Sequence, residues 1–277
     1  MLVIDVGTGP PVVLIPGIQG RWEWMRPAVD QMSARTRVIS FSLAGEPGSD
    51  RAFDDTAGFD CYTAQVDAAL DRARVASATV CGVSFGGLIA LRYAATRPER
   101  VRALVLVSTP GPTWTPPAQT RRYMRHPRLM FPFFCVGAYR RMSRELAGTF
   151  PGRRQRLGAA VKYGGLVLRA PGSPSRMSQR ASQTLGLGFA HDCVRILVPT
   201  LVVTGDAKLD GVVPVATSLE YARLIKGAQV STLAGTGHLG IVTRPERFAD
   251  VVVGFALSCG EARPGNRVVG GVLGASS

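Results

Sequence analysis

Three near-continuous apolar runs, rich in β-branched residues, are each bounded by turn residues: "PVVLIPG" (11–17), "ATVCGV" (78–83) and "VRALVLVST" (101–109). A fourth, "VPTLVVTG" (198–205), comes much later, and "TRVISFS" (36–42) and "AQVSTLAG" (228–235) are weaker versions of the same pattern. Runs that are apolar throughout, rather than alternating, suit strands covered on both faces. Between them the apolar spacing turns helical, over 24–33, 63–73, 85–96, 215–224 and 245–257. Strands alternating with helices predict an α/β fold, a mostly parallel central sheet flanked by helices.

The alternation stops after Thr109. "PGPTWTPP" reads as a loop by its prolines. The next eighty or so residues are helical in character, with many Arg, Met and aromatic positions, and strand character resumes at Ile196. The expected organisation is a sheet domain formed by 1–111 and 195–259, with 112–194 inserted as a helical lid. The Gly-rich end, "GEARPGNRVVGGVLGASS" (260–277), has no periodicity and is expected to be a loose tail.

Composition adds limits. A chain of 277 residues with 46% hydrophobic content can bury a sizeable core. No apolar run reaches the roughly 18 residues that span a bilayer. The start, "MLVIDVGTGPP", lacks a basic region followed by a long apolar stretch, so the expected compartment is the cytoplasm. The five cysteines (61, 81, 135, 193 and 259) form no C-x-x-C pair and no metal spacing, and read as reduced, mostly buried thiols. Between Gln119 and Arg195, fourteen arginines and Lys162 stand against only Glu145 and Asp192, so this segment carries +13 of the net +14. The basicity belongs to the insert.

The candidate chemistry starts at "GVSFGG" (82–87), where Ser84 stands between a strand-like and a helix-like run. G-x-S-x-G at such a junction is the nucleophile elbow, and its glycines allow a turn that a side chain would block. An ordinary tight turn is the plain alternative. The segment is not a phosphate cradle, lacking the Lys and spacing of one. A serine nucleophile needs a base. His126 and His191 fall in the insert, whereas His238 lies in a Gly-rich loop between a strand and the last helix, where an open α/β sheet presents its ligand groups. The base needs a carboxylate, and "VVTGDAKLDGVVP" (202–214) offers Asp206 and Asp210 at a strand's end. Both could instead be loop residues capping the next helix. The order Ser84, Asp, His238 is the one an elbow of this kind takes. For the oxyanion, the Phe85 N–H follows the nucleophile at a helix start, and a second backbone donor is expected from Ile18 in "IPGIQGRW" (15–22).

Taken together, "GPPVVLIPGIQG", "SLAGEPGSD", "VCGVSFGGLIALRYAATRPERVRALVLVST", "PTLVVTGDAKLDGVVP" and "GTGHLGIVTRPERFADVV" resemble lidded α/β-hydrolase-fold proteins in order and spacing, over residues 9–109 and 196–256. The resemblance implies catalytic Ser84, Asp210 and His238. It favours Asp210 as the acid because that residue sits four before Pro214, with Asp206 still open as the alternative. This chain departs from the family in three places. Pro16-Gly17 stands where His-Gly is usual, Ser42-Leu43-Ala44-Gly45 replaces a loop that begins with Asp and carries Arg-Gly, and the first strand looks missing or incomplete, which would expose a sheet edge.

A serine at the elbow implies acyl transfer through an acyl-enzyme, on a carboxylic ester, lactone or thioester. C–C bond hydrolysis, or perhydrolysis with peroxide in place of water, would use the same groups, and a non-catalytic ligand receptor is the alternative of another class. No cofactor and no metal is implied, and no nucleic-acid-binding module is present. The expected partner is a small acyl substrate, anionic or lipid-like in view of the insert's arginines. The mixed segment "RLMFPFFCVGAYRRM" (128–142) also suits peripheral contact with a membrane. The plain alternative for that charge is a solvated face.

Overall fold

The structure, a computed structural model, describes residues 3–261. Seven strands form one sheet in the order β1-β3-β2-β4-β5-β6-β7. They are β1 (Val3–Val6), β2 (Pro11–Ile15), β3 (Arg37–Phe41), β4 (Ala78–Val83), β5 (Val101–Val107), β6 (Thr200–Thr204) and β7 (Gln229–Thr232). β1 runs antiparallel to β3, and every other pairing is parallel. The uniformly apolar runs are uniformly buried: all six residues of β4 and all five of β6 are inside.

Successive side chains feed opposite cores, as the strand period of two requires. Val13 and Ile15 face a core built with α2 (Asp60–Arg72) and α3 (Phe85–Thr96). Val12 and Leu14 face a core built with α1 (Arg26–Met32) and the last long helix.

Five helices lie between β5 and β6: α4 (Ala118–Arg125), α5 (Pro127–Thr149), α6 (Arg153–Arg169), α7 (Pro174–Gln183) and α8 (Phe189–Val194). They dock on the sheet domain through specific bonds. Trp24 Nε1 donates to the Ala170 carbonyl at 2.8 Å, Arg92 pairs with Asp192 at 2.6 Å, and the Tyr163 hydroxyl donates to the Val242 carbonyl at 3.0 Å. After β6 come α9 (Val215–Ser218), α10 (Glu220–Leu224), α11 (Gly240–Thr243) and α12 (Pro245–Glu261).

Three expectations need correction. The first strand is present as β1. It is short, pairs Val3 with Phe41 through Val6 with Val38, and is fastened where Arg37 grips Asp5 with two bonds of 2.8 and 2.7 Å. The helix expected over 215–224 is two short helices, parted at Leu219, whose carbonyl accepts a tight i+3 bond from the Ala222 N–H. The last helix continues past 257 to Glu261, because Val252, Val253, Phe255 and Ala256 keep it packed to the sheet. The remainder of the expected tail, 262–277, lies outside the described residues. Of the five thiols, Cys61, Cys81 and Cys193 are buried, Cys259 is intermediate and Cys135 is exposed.

The chain moves from β2 to β3 on one side, then crosses to β4 on the other. The loops after β2 and β4 therefore leave the carboxyl edge at the point where the strand order reverses, the place where open α/β sheets bind their ligands.

Candidate active site

Ser84 stands between β4 and α3 at φ +53° and ψ −117°, a backbone state unusual for a residue with a side chain. Neighbouring backbone enforces it. A Cβ on Gly82 would collide with the carbonyl of Gly86, and one on Gly86 would lie 2.5 Å from the Pro16 carbonyl oxygen and closer still to that of Ile15. These two glycines are therefore sterically obligatory, and the corner they permit lifts Ser84 above the sheet edge. Its amide donates to the Val107 carbonyl at 2.8 Å, and the Gly87 N–H returns to the Ser84 carbonyl at 2.9 Å.

The edge continues across the sheet. The Ser108 N–H bonds the Val203 carbonyl and the Leu233 N–H bonds the Thr204 carbonyl, each at 2.8 Å. The loops after β4, β6 and β7 thus leave from one line, and the first carries Ser84, the second Asp210 and the third His238.

His238 Nδ1 lies 3.3 Å from Asp210 Oδ2. The other Asp210 oxygen accepts the Val212 and Val213 N–H groups at 2.9 Å each. Burial pushes this carboxyl up, but the hydrogen bond and charge of His238, with the two amides, more than offset it and hold the group below its ordinary value. Asp206 does other work: its carboxylate accepts the Gly235 N–H at 2.7 Å, and its carbonyl accepts the Leu209 and Asp210 amides. It shapes the two loops, and Asp210 is the carboxylate that faces the imidazole. Among the described residues no hydrogen bond joins Ser84 Oγ to His238, and such contacts are commonly long before substrate is bound. His126 and His191 are exposed, at the start of α5 and within α8, away from this line.

The loop after β2 folds against the corner. A Cβ on Gly17 would lie 3.4 Å from the Val83 carbonyl oxygen, and Gly20 closes the loop by donating to Gly17 at 2.9 Å. Ile18 thereby packs against the core cluster that contains Phe85. Among the described residues, neither of their amides donates to a protein acceptor.

Two residues of the insert, neither of which the sequence reading picked out for the site, fasten these loops. Arg180 of α7 is fully buried. It pairs with Glu46 at 2.7 Å, donates to the Ile18 carbonyl at 2.8 Å and lies over the Tyr62 ring at 5.9 Å. It thereby anchors the loop after β2, in which Pro16 precedes Gly17. Glu145 of α5, also fully buried, accepts the Leu239 N–H at 2.9 Å and the Thr243 hydroxyl at 3.1 Å. The only hint of either in the sequence is that Glu145 is one of two acids in a strongly basic insert. The Ser42–Gly45 segment is held by Gln65, whose amide oxygen accepts the Ala44 N–H and whose amide nitrogen donates to the Ser42 carbonyl, both at 2.9 Å.

Two apolar cavities flank α5. A small one, about 50 Å³, is lined by Ile18, Tyr123, Phe131, Phe134 and Met177. A large one, about 710 Å³, lies between α5 and α6 beside Leu239, with Trp24, Tyr163 and Val242 in its wall and Arg144 and Arg156 as its cations. Among the described residues no group of acids, histidines and cysteines is placed to hold a metal ion.

A profile of the alpha/beta hydrolase fold family matches residues 10–245. A 2-hydroxymuconate semialdehyde hydrolase of Pseudomonas sp. strain CF600 is 29% identical over 271 residues, covering 91% of this chain and 88% of its own length. A poly(3-hydroxyalkanoate) depolymerase of Ectopseudomonas oleovorans is 29% identical over 261 residues, covering 88% and 83%. The esterase EaEST of Exiguobacterium antarcticum superposes with a TM-score of 0.76 at 18% identity, over 92% of this chain and 94% of its own, a likeness of fold. With the profile spanning most of its length, this chain belongs to the α/β hydrolase fold family.

Proposed function

We propose that this hydrolase is a serine esterase-type enzyme in which Ser84 is the nucleophile, His238 the general base and Asp210 its partner. The observation that carries this reading is the Asp210–His238 contact of 3.3 Å on the sheet edge that also holds the strained Ser84 corner. Asp210 fixes the proton on Nδ1 and leaves Nε2 as the base. His238 takes the Ser84 proton as the hydroxyl attacks a carbonyl, and the N–H groups of Ile18 and Phe85 receive the oxyanion. His238 then returns the proton to the leaving group, and water releases the acyl group by the same steps reversed.

That proton transfer requires the leaving group to sit on the His238 side. The large cavity beside Leu239 supports a bulky apolar leaving group, and Arg144 and Arg156 there suit one that bears an anion. The small pocket at Ile18 supports a short acyl group. A β-diketone-like substrate cleaved at carbon is the second reading, favoured by the likeness to a 2-hydroxymuconate semialdehyde hydrolase. The insert acts in this scheme as the lid over both cavities. The unpaired thiols, Cys135 exposed among them, fit a reducing compartment, the cytoplasm.

A fluorophosphonate probe read by peptide mass spectrometry tests the site. Labelling at Ser84 that is lost in Ser84→Ala and His238→Ala is the expected result. Folded wild type that hydrolyses p-nitrophenyl esters without labelling at Ser84 sinks the reading.

The insert's outer face supports a peripheral role at membranes. Leu129, Phe133 and Val136 of α5 are 73%, 60% and 52% exposed, and the exposed Arg128 and Arg140 fall on the same arc of the helix. An apolar stripe among cations complements an anionic lipid surface. Vesicles of phosphatidylglycerol should carry the protein in flotation at low salt, and vesicles of phosphatidylcholine should not. Equal recovery with both, or with neither, removes this role. Among the described residues no helix is long and apolar enough to cross a membrane.

A further inference from the structure

We infer that Glu145, on insert helix α5, is a positioning residue for His238, so that the insert forms part of the acid–base machinery rather than a cover over it. The inference rests on the serine-hydrolase reading above.

The His238 loop is short of internal support. Its flanks are Gly237 and Leu239, and α11 behind it is a single turn, Gly240–Thr243. Glu145 supplies what the loop lacks. One carboxylate oxygen accepts the Leu239 N–H at 2.9 Å, and the other accepts the Thr243 hydroxyl at 3.1 Å. The Gly237 N–H also faces the carboxylate, and a Cβ on Gly237 would lie only 2.8 Å from Glu145 Oε2. The carboxylate thus holds the residue before His238, the residue after it and the turn that follows. The same helix touches the other half of the pair: a Cβ on Gly211 would lie 2.5 Å from the Arg141 carbonyl oxygen, so α5 backbone rests on the turn that carries Asp210.

Among the described residues this fully buried carboxylate bonds to the His238 loop and to the α11 turn behind it, an arrangement costly to keep for packing alone. Burial pushes its carboxyl up, against the Leu239 and Gly237 amides, the Thr243 hydroxyl and the charge of His238. The groups around the imidazole are Asp210 from the loop after β6 and Glu145 from α5. Arg144 borders the cavity beside Leu239, Arg141 meets the Asp210 turn through its backbone, Asp206 is held on Gly235, and α11 carries no charge. Two carboxylates thus serve one imidazole. Asp210 orients the ring, and Glu145 fixes the backbone that carries it and adds negative charge where the imidazolium forms.

Glu145→Ala and Glu145→Gln, each compared with wild type on a short-chain p-nitrophenyl ester, provide the test. Glutamine can keep an acceptor on the Leu239 N–H and turn its amide to the Thr243 oxygen, so it preserves the clamp and removes the charge. In Glu145→Ala, kcat should fall about 10- to 100-fold with KM within about threefold of wild type. Glu145→Gln should restore most of kcat, and its acid limb in kcat/KM should move to lower pH. A folded Glu145→Ala with wild-type kcat, or a glutamine variant that loses as much kcat as alanine, overturns the inference. If alanine does not fold, the glutamine profile decides, and an unmoved acid limb overturns it. Ser84→Ala separates the two levels. Activity that survives this change refutes the serine-hydrolase reading, whereas activity lost there with both Glu145 variants at wild-type rates refutes only the role of Glu145.

Discussion

Arg180 and Glu46 form an ion pair of 2.7 Å in which neither side chain has any solvent exposure. Glu46 also accepts the Ser173 N–H at 2.8 Å, and Arg180 donates to the Ile18 carbonyl at 2.8 Å. One buried pair therefore joins α7, the loop after β3 and the loop after β2. Removing the cation alone strands a buried carboxylate, at a cost of about 3–5 kcal/mol. Arg180→Ala should lower Tm by roughly 6–20 °C in a calorimetric scan. The double change Arg180→Met with Glu46→Leu should regain much of that loss. Its kcat should stay low, because Ile18 has still lost the donor behind its carbonyl.

The proposed roles separate the two aspartates after β6. Asp210→Asn leaves His238 with the wrong tautomer, and kcat should fall by about 10³- to 10⁴-fold. Asp206→Asn disturbs only the Gly235 bond, so kcat should stay within about tenfold. Steady-state hydrolysis of one ester by both variants checks this, and equal losses would mean that the acid is misassigned.

The Asp210 carboxyl titrates below its ordinary value in the fold. A depressed carboxyl adds stability that is complete above the unfolded value of about 3.9 and is lost as pH falls through the folded value. The Tm difference between wild type and Asp210→Asn should hold from neutrality down to about pH 4 and shrink at more acidic pH. A difference that grows as the solution is acidified contradicts the assigned sign.

Gly86 has no room for a methyl group, whose carbon would lie 2.5 Å from the Pro16 carbonyl oxygen. Gly86→Ala must push α3 away from the loop after β2 and spread Ile18 from Phe85. The expected loss is about 1–3 kcal/mol by overpacking, read as a lower midpoint in urea, with labelling of Ser84 slowed more than stability alone explains.

Acyl length should follow the small pocket. Phe134 and Met177 line it opposite Ile18. Phe134→Ala should move the optimum of a p-nitrophenyl ester series to longer acyl chains, with ester hydrolysis preserved. An unchanged optimum would assign the acyl group to the large cavity instead.

Much of the scaffold was legible along the chain. The four strong apolar runs are β2, β4, β5 and β6, the strands covered on both faces, where every residue is buried except Pro11 at the start of β2 and Arg102 near the start of β5. β3 was faint, although Val38, Ile39, Ser40 and Phe41 are all buried, because Ser40 interrupts its short run. Ser40 is accommodated by donating to the Leu14 carbonyl at 2.7 Å. β1 was harder still: it has four residues, half exposed, and forms only because β3 offers a free edge.

By itself the sequence determined the alternation of strands and helices, the corner at Ser84 and the single histidine placed in a loop after a strand. These are local properties, set by side-chain period and by glycines that only one backbone geometry explains. Only the tertiary structure put His238 beside Asp210 and Asp206 on Gly235, since two carboxylates four residues apart in one loop look alike until the imidazole is placed beside one of them. It alone showed Glu145 and Arg180 at the site, because their partners lie 94 and 134 residues away. A buried charge is defined by what surrounds it, and that information lies in no window of the chain.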